Sequence, residues 1–303
     1  MKAKTLIRNL FFILLFNFLG TGLWAKEKNV VALSKSLAEM WLLAGGKLSG
    51  VTDDALELPE CKNAVSIGST HTASFEAIIS LNPDLVLLTQ DIPSHKKLHL
   101  NLNSLGIQVY VVDIKNFSDY EKVMRDFTSM TGRKDLYQKN VEAVKKDIEK
   151  IVLTRRGLSP LESTTPGLSP ADTSRGLSPA ETYLLLRISG TKNKVLKDHF
   201  ANEIFQDLGL VPVVNDSLSL DEIGIEAIVT SDPDYIFIVY QGNQKNAEDS
   251  FYKAYQSHPA WKDLSAVKNG KVHILPKELF NFKPNERWAL AYQTVANFTG
   301  GGL

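Results

Sequence analysis

The sequence predicts an α/β protein of two lobes with mainly parallel sheets, joined by a single long helix. Three observations predict it. Short apolar runs rich in β-branched residues alternate with helical stretches in both halves of the chain, the pattern of a parallel sheet covered by helices. A phrase is written twice: "SFEAIISLNPDLVLLT" from Ser74 and "GIEAIVTSDPDYIFIV" from Gly224 each carry Glu-Ala-Ile, then Pro-Asp, then an apolar run. Glu76 and Glu226 stand 150 residues apart, too far for a solenoid period and suited to two similar lobes. Between the copies a helical pattern places Leu136, Tyr137, Val141, Val144, Ile148, Ile151 and Val152 on one face, with Lys and Glu opposite. About 22 residues of such a helix reach roughly 33 Å, enough to run along two lobes and join them.

Residues 1–25 read as a secretory signal peptide. Lys2, Lys4 and Arg8 precede an apolar core from Leu10 to Leu19, too short to span a bilayer comfortably, and Ala25 ends a cleavage site; a retained anchor is the plain alternative. No Cys lies near that point, so no lipid attachment is expected there. The N-terminal α/β lobe, 26–120, opens with "NVVAL" (Asn29 to Leu33) as a buried parallel-type strand. "SLAEMWLLAGG" follows as a helix with Ser36 as N-cap and Gly45-Gly46 as its stop. "AVSIGS", a helix over 75–81, the strand "DLVLLT", a helix near 95–105 and the strand "QVYVVD" complete the alternation. Proline disfavours helix in the residue before it, so in each copy of the phrase Pro-Asp ends a helix and starts a buried strand.

The connector, 121–155, is helical, with a break at Gly132 before the long helix. Composition then changes over 156–181, where Gly-Leu-Ser-Pro repeats at 157, 167 and 176, and the prolines rule out a helix or a central strand. This segment reads as an exposed, mobile insertion between lobes; a proline-rich recognition motif is the other reading, without an evident PxxP pattern. The C-terminal lobe, 182–303, restarts with the strand "TYLLLRIS" and a helix near 198–208. The helix carrying Glu226, the strand "YIFIVY", helical segments near 248–262, the strand "KVHIL" and a final helix from Pro284 to Phe298 follow.

The charges balance, 34 basic against 34 acidic, so bulk attraction to nucleic acid or anionic lipid is not expected, and any ligand charge must meet a local patch. Cys61 is the one cysteine, so stability must come from a packed core; it reads as a partly buried small residue rather than a reactive thiol. No GxSxG elbow, Walker loop, GxGxxG or HExxH occurs, so catalysis is not expected; an exported α/β hydrolase with a scattered triad is the enzyme alternative.

Together with "LGIQVYVVD", "TGRKDLYQKNVEAVKKDIEKI", "HPAWKDLSAVKNGKVHILP" and "KPNERWALAYQTVANF", these segments make the chain resemble the substrate-binding proteins of ABC importers for iron complexes and cobalamin. Those are periplasmic binding proteins whose two lobes are joined by one long helix. The resemblance covers about Asn29 to Phe298, less the Gly-Leu-Ser-Pro insertion, and its most specific elements are Glu-x-Ile-x4-Pro-Asp and Ala-Val-Lys-Asn-Gly-Lys-Val. It implies a non-enzymatic protein, periplasmic or otherwise exported and soluble after cleavage. Such a protein captures an iron chelate (siderophore or haem) or related metal complex in a cleft between the lobes, with cobalamin or a bare divalent metal as alternatives. The expected partners are that small metal complex and an ABC importer permease in the inner membrane; no nucleic acid, no cofactor beyond the cargo, and a monomer are expected. In that family the two matching glutamates dock onto arginines of the permease, a role carried to Glu76 and Glu226. Taken singly, each reads as helix-dipole complementation worth a few tenths of a kcal/mol.

In parallel α/β sheets ligands bind beyond the carboxyl ends of strands, and two facing lobes make a cleft from both sets of loops. Strand ends then give Ser34 and Ser36, Ser69 to Thr72 with His71, and Gln90 with Asp91 in the first lobe. In the second they give Arg187, Tyr240 with Gln241, and Lys277 to Phe280. His71 is either a solvated loop histidine or a ligand to iron or haem. Arg187 ends an apolar strand, where a guanidinium is costly unless paired: it takes an acid of its own lobe, or it is a fork for a ligand carboxylate or phosphate. Tyr240 is a core-edge aromatic or a phenolate for the ligand, and Lys277 is solvated or meets an anion. His95 and His99, at i and i+4 on a helix, are half of a metal site at most, and a solvated face is the plainer reading. One stiff connecting helix resists large hinge bending, so a small closure is expected.

Overall fold

The structure is a computed structural model that describes residues 28–157, 180–214 and 223–300. The leader and all but the ends of the Gly-Leu-Ser-Pro insertion lie outside the described residues. The first sheet contains β1 (Val30–Ala32), β2 (Gly50–Val51), β3 (Val65–Ser66), β4 (Leu85–Thr89) and β5 (Val109–Val112). Its order is β3-β2-β1-β4-β5 and every pair is parallel. The second contains β6 (Thr182–Ile188), β7 (Asn193–Val195), β8 (Val211–Pro212), β9 (Tyr235–Tyr240) and β10 (Val272–Ile274). Its order is β10-β9-β6-β7, with β8 on the opening of β6. This sheet is mixed, because β7 folds back antiparallel on β6. Ser189 holds that turn, its N–H and Oγ–H donating to the Lys192 carbonyl at 2.9 and 2.8 Å. None of β2, β7 and β8 is predicted from sequence, because β2 and β7 lie in polar runs and β8 carries Pro212.

Helices α1 (Lys35–Leu43), α2 (Phe75–Ser80), α3 (Pro93–Ser104) and α4 (Phe117–Thr131) accompany the first sheet. Then α5 (Lys134–Tyr137) runs into α6 (Ala143–Arg155) through a π turn at Gln138–Glu142. Helices α7 (Ala201–Asp207), α8 (Ile225–Ser231), α9 (Gln244–Phe251), α10 (Ser265–Lys268), α11 (Lys277–Phe280) and α12 (Trp288–Phe298) accompany the second. The N-cap of α1 is Ser34, not Ser36: its Oγ accepts from the Leu37 N–H at 3.4 Å, and Ser36 lies inside the first turn. Gly132, at φ 74°, ends α4 in the left-handed region that glycine enters without penalty.

The duplicated phrase builds the same device in each lobe. The residue before its proline is left-handed in both copies, Asn82 at φ 46° and Asp232 at φ 35°, which stops α2 and α8. The Asp after the proline accepts a backbone N–H from the start of the neighbouring strand: Asp84 Oδ2 from Asn29 at 2.8 Å, Asp234 Oδ2 from Thr182 at 2.7 Å. Pro-Asp thus pins β4 beside β1 and β9 beside β6.

The long helix is continuous in direction but not in pitch. In its π turn the buried Asn140 donates from Nδ2 to the Leu43 carbonyl at 2.9 Å, and its own carbonyl accepts from the Tyr120 hydroxyl at 3.3 Å. The wider turn leaves that carbonyl available, a departure from the regular helix that the periodicity predicts. At the other end Arg155 donates to Glu181 and to Thr299, both at 3.1 Å, and α6 packs along α12. One core, running from Val30 and Trp41 through Phe127 and Ile148 to Phe237 and Trp288, is shared by both sheets. Each sheet keeps a separate cluster on its other face, Val31, Val86 and Leu88 in the first and Leu184, Leu186, Ile236 and Ile238 in the second. Alternation with period two sorts the buried residues of β1, β4, β6 and β9 onto the shared or the outer face. Cys61 is fully rather than partly buried, and burial pushes its thiol pKa up.

Candidate ligand-binding cleft

The carboxyl ends of the five strands of the first sheet converge on a cleft of about 890 Å³, walled on its other side by the second lobe. Ser34 and Ser36 come from the β1–α1 turn, Asp53 and Asp54 from the turn after β2, and Ser69, Thr70 and His71 from the loop after β3. Thr89 and Asp91 end β4, and Ile114 with Lys115 follow β5. The second lobe contributes Arg187 from β6, the segment from Val195 to Phe200, Gln241 after β9, and Asn281, Phe282 and Lys283 after α11.

Of the residues singled out from sequence, Ser34, Ser36, His71 and Arg187 therefore line one cleft, and Gln90, Tyr240 and Lys277 do not. Gln90 is exposed, while its neighbours Thr89 and Asp91 face the cleft. Tyr240 is 8% exposed and follows Ile236 and Ile238 into the outer cluster. Lys277 is exposed at the start of α11, a helix where a strand-end loop is predicted. Asp53 and Asp54 escape prediction because the strand before them, Gly50–Val51, lies in a polar run that does not read as a strand. Lys197, His199, Phe200 and Lys283 lie in loops whose sequence carries no spacing.

Arg187 brings a guanidinium to the second lobe's wall of the cleft. Strand alternation puts it on the face of Tyr183 and Leu185, toward the shared interior. Its Nε is buried without a hydrogen-bond partner, and among the described residues no carboxylate acts on it; burial alone pushes its pKa down. A guanidinium keeps its proton under such a shift, so the cleft holds a half-buried cation with no counter-ion among the described residues. Burial, then the charges of Arg187 and Lys283, push the His199 imidazole down to about 3, so it is neutral, and its Nδ1 accepts from the Ala201 N–H at 3.3 Å.

His95 is not on a solvated face. It is fully buried, with Nε2 donating to the Thr70 carbonyl at 2.9 Å and Nδ1 accepting from the Thr89 N–H at 3.3 Å. Burial pushes its pKa down and favours the neutral ring that both contacts need. It ties the loop after β3 to the end of β4, two edges of the cleft. Among the described residues no three His, Cys, Asp or Glu side chains come together to hold a metal ion.

The lobes also meet beneath the cleft, where Glu203 on α7 accepts from the Phe117 N–H at the start of α4 at 2.7 Å. Burial, with Asp207 and Asp119 adding repulsion against the bond to Phe117, pushes the Glu203 carboxyl up to about 7. Its folded value lies above its unfolded one, so the folded state holds this proton longer. The resulting stability is full below about pH 4.3 and is lost as pH rises through about 7. Glu203→Gln keeps an acceptor for Phe117 and removes the titration. Urea unfolding from pH 5 to pH 8 should show the wild type losing about 1–2 kcal/mol relative to this variant, after allowance for solvent screening. Parallel pH profiles for the two proteins contradict the assignment.

Glu76 and Glu226 are both exposed in the first turns of α2 and α8. Ser74 caps α2, its Oγ accepting from the Ala77 N–H at 3.1 Å and donating to Glu76 at 3.3 Å.

Comparison with known proteins gives a consistent picture. A family model described as periplasmic binding protein matches residues 30–279. The Fe(3+)-citrate-binding protein YfmC of Bacillus subtilis is 24% identical over 208 residues, which are 69% of this chain and 58% of that protein, under two thirds of its length. Among solved structures, an ABC transporter substrate-binding protein from Listeria monocytogenes EGD-e superposes with a TM-score of 0.70 at 18% identity, covering 90% of this chain and 98% of that one. The structure of S. aureus IsdE complexed with heme superposes with a TM-score of 0.69 at 17% identity, covering 90% and 98%. The likeness to both structures is one of fold.

Proposed function

Because the chain belongs to the periplasmic binding protein family, we propose that it is an exported solute-binding protein that captures an anionic iron chelate between its lobes and hands it to the permease of an ABC importer. The observation that supports this ligand class is Arg187, a half-buried guanidinium lining the cleft with a buried, unpartnered Nε and no carboxylate acting on it among the described residues. A ligand carboxylate supplies the missing partner, and a bidentate one matches the guanidinium fork. Lys115, Lys197 and Lys283 line the same cleft together with Asp53, Asp54, Asp91 and Asp198, and the buried Ser36 Oγ there has no partner among the described residues. A compact ferric hydroxycarboxylate offers such a carboxylate to Arg187, and the relative named for Fe(3+)-citrate supports the same class. Capture and release need no chemistry on the cargo.

A haem reading has one observation in its favour: His71 and the exposed Phe282 both line the cleft, an imidazole from one lobe and an aromatic face from the other. Thermal melts decide between the two. Ferric citrate is expected to raise Tm and to be recovered unchanged, while haemin, cobalamin, and ferric or divalent salts without citrate leave Tm nearly unmoved. Stabilisation by haemin but not by ferric citrate replaces the carboxylate reading, and stabilisation by metal salts alone removes chelates from it.

A further inference from the structure

Resting on that ligand class, we propose that Asp91 holds the place of a cargo carboxylate beside Lys283 until cargo arrives, and that Lys283 then exchanges Asp91 for the cargo. Lys283 belongs to the segment between α11 and α12, yet its ammonium is anchored on the first lobe. It donates to the Ile114 carbonyl and stands 3.7 Å from an Asp91 carboxylate oxygen, with the Phe200 ring centroid 5.4 Å away. All four residues line the cleft.

The two contacts of the ammonium differ in kind. Ile114 accepts a hydrogen bond from it, whereas 3.7 Å is too long for one and leaves Asp91 in a loose ion pair. The Lys283 side chain is 26% exposed and that of Asp91 is 55% exposed, so the ammonium is the fixed member and the carboxylate the movable one. Burial disfavours the charge of Lys283, and Asp91, followed by Asp113 and Asp119, favours it. The backbone of Asp91 is held independently, its N–H donating to Thr89 Oγ1 at 3.2 Å, so the side chain can turn to solvent without moving the loop. An ammonium has three donors and no acceptor. It can keep Ile114 and take a cargo oxygen in place of Asp91, so that the interlobe anchor survives the exchange. Asp91 then acts as a built-in competitor, weakening capture of anionic cargo and easing its release.

A double-mutant cycle with ferric citrate as the probe tests the exchange. Asp91→Asn is expected to bind about tenfold tighter and Lys283→Met about tenfold weaker, and the gain from Asp91→Asn should shrink to about twofold or less in the Lys283→Met background. Lys283→Arg, which keeps the charge, should preserve most of that gain. An equal gain in both backgrounds makes Asp91 a diffuse repulsive charge and overturns the exchange. Amide hydrogen exchange of the ligand-free protein reads the anchor alone: Lys283→Met should speed exchange at 114–117 and 281–287, and unchanged rates overturn the anchor. A wild type that binds no ferric citrate overturns the ligand class and with it the exchange, while the ligand-free rates still decide the anchor.

Discussion

Arg187→Met is expected to give a protein that is harder to unfold and nearly unable to hold its cargo. The two effects have one cause. The guanidinium is half-buried, its Nε is buried without a hydrogen bond, and among the described residues no carboxylate acts on it. An unsatisfied buried polar group of this kind costs about 1–3 kcal/mol, and methionine, of similar length and flexible, fills the space without that cost. Urea unfolding should therefore show a gain within that range. Ferric citrate binding should fall by about two orders of magnitude or more, the usual loss when one member of a desolvated charge pair is removed. Arg187→Lys separates charge from shape: a point charge replaces a planar fork, so binding should fall to an intermediate level. Lower stability with unchanged affinity would make Arg187 a structural residue and leave the ligand class without its main support.

Why Arg187 was legible from the sequence and Lys283 was not follows from the geometry of strands. Along β1 the shared face carries Val30 and Ala32, and the next residue in that register is Ser34, which lines the cleft. Along β4 it carries Leu85 and Leu87, and the register continues to Thr89 and Asp91. Along β6 it carries Tyr183 and Leu185 and continues to Arg187; along β9 it carries Tyr235, Phe237 and Val239 and continues to Gln241. Gln90 and Tyr240 fall on the alternate register, with Leu88 and Ile238. Strand ends are readable from apolar runs, but choosing among their residues needs the face, and a strand that is apolar on both faces conceals it. Lys283 and the segment from Lys197 to Phe200 reach the cleft from irregular loops, whose path depends on packing against the other lobe. The two-lobed plan was legible because the duplicated phrase encodes a local device, a left-handed helix stop and an Asp that pins a strand, which works the same way in either lobe.

That same phrase carries the second large effect. Glu76→Lys with Glu226→Lys is expected to abolish import while leaving capture intact. Both carboxylates are exposed, and neither lines the cleft, so ferric citrate affinity should stay within about twofold, the change allowed by long-range charge at physiological salt. Each reversal forfeits helix-dipole complementation, a few tenths of a kcal/mol, and at Glu76 also the exposed bond from the Ser74 hydroxyl, so the fold should survive. Each acid lies in the first turn of a helix that leads through Pro-Asp into the strand beside its lobe's first strand, β4 beside β1 and β9 beside β6. In such units the helix N-terminus lies at the carboxyl end of the sheet, the side on which the cleft opens. One negative charge per lobe on that side suits a transporter with two equivalent basic sites, and reversing both turns two attractions into two repulsions. Each single reversal should cost a similar fraction of the rate, because the lobes present the charge from equivalent positions. The measurement is ATP-driven uptake of radioiron citrate by proteoliposomes holding the importer. Wild-type uptake by the double variant removes both glutamates from docking, and failure of one single variant alone assigns docking to a single lobe.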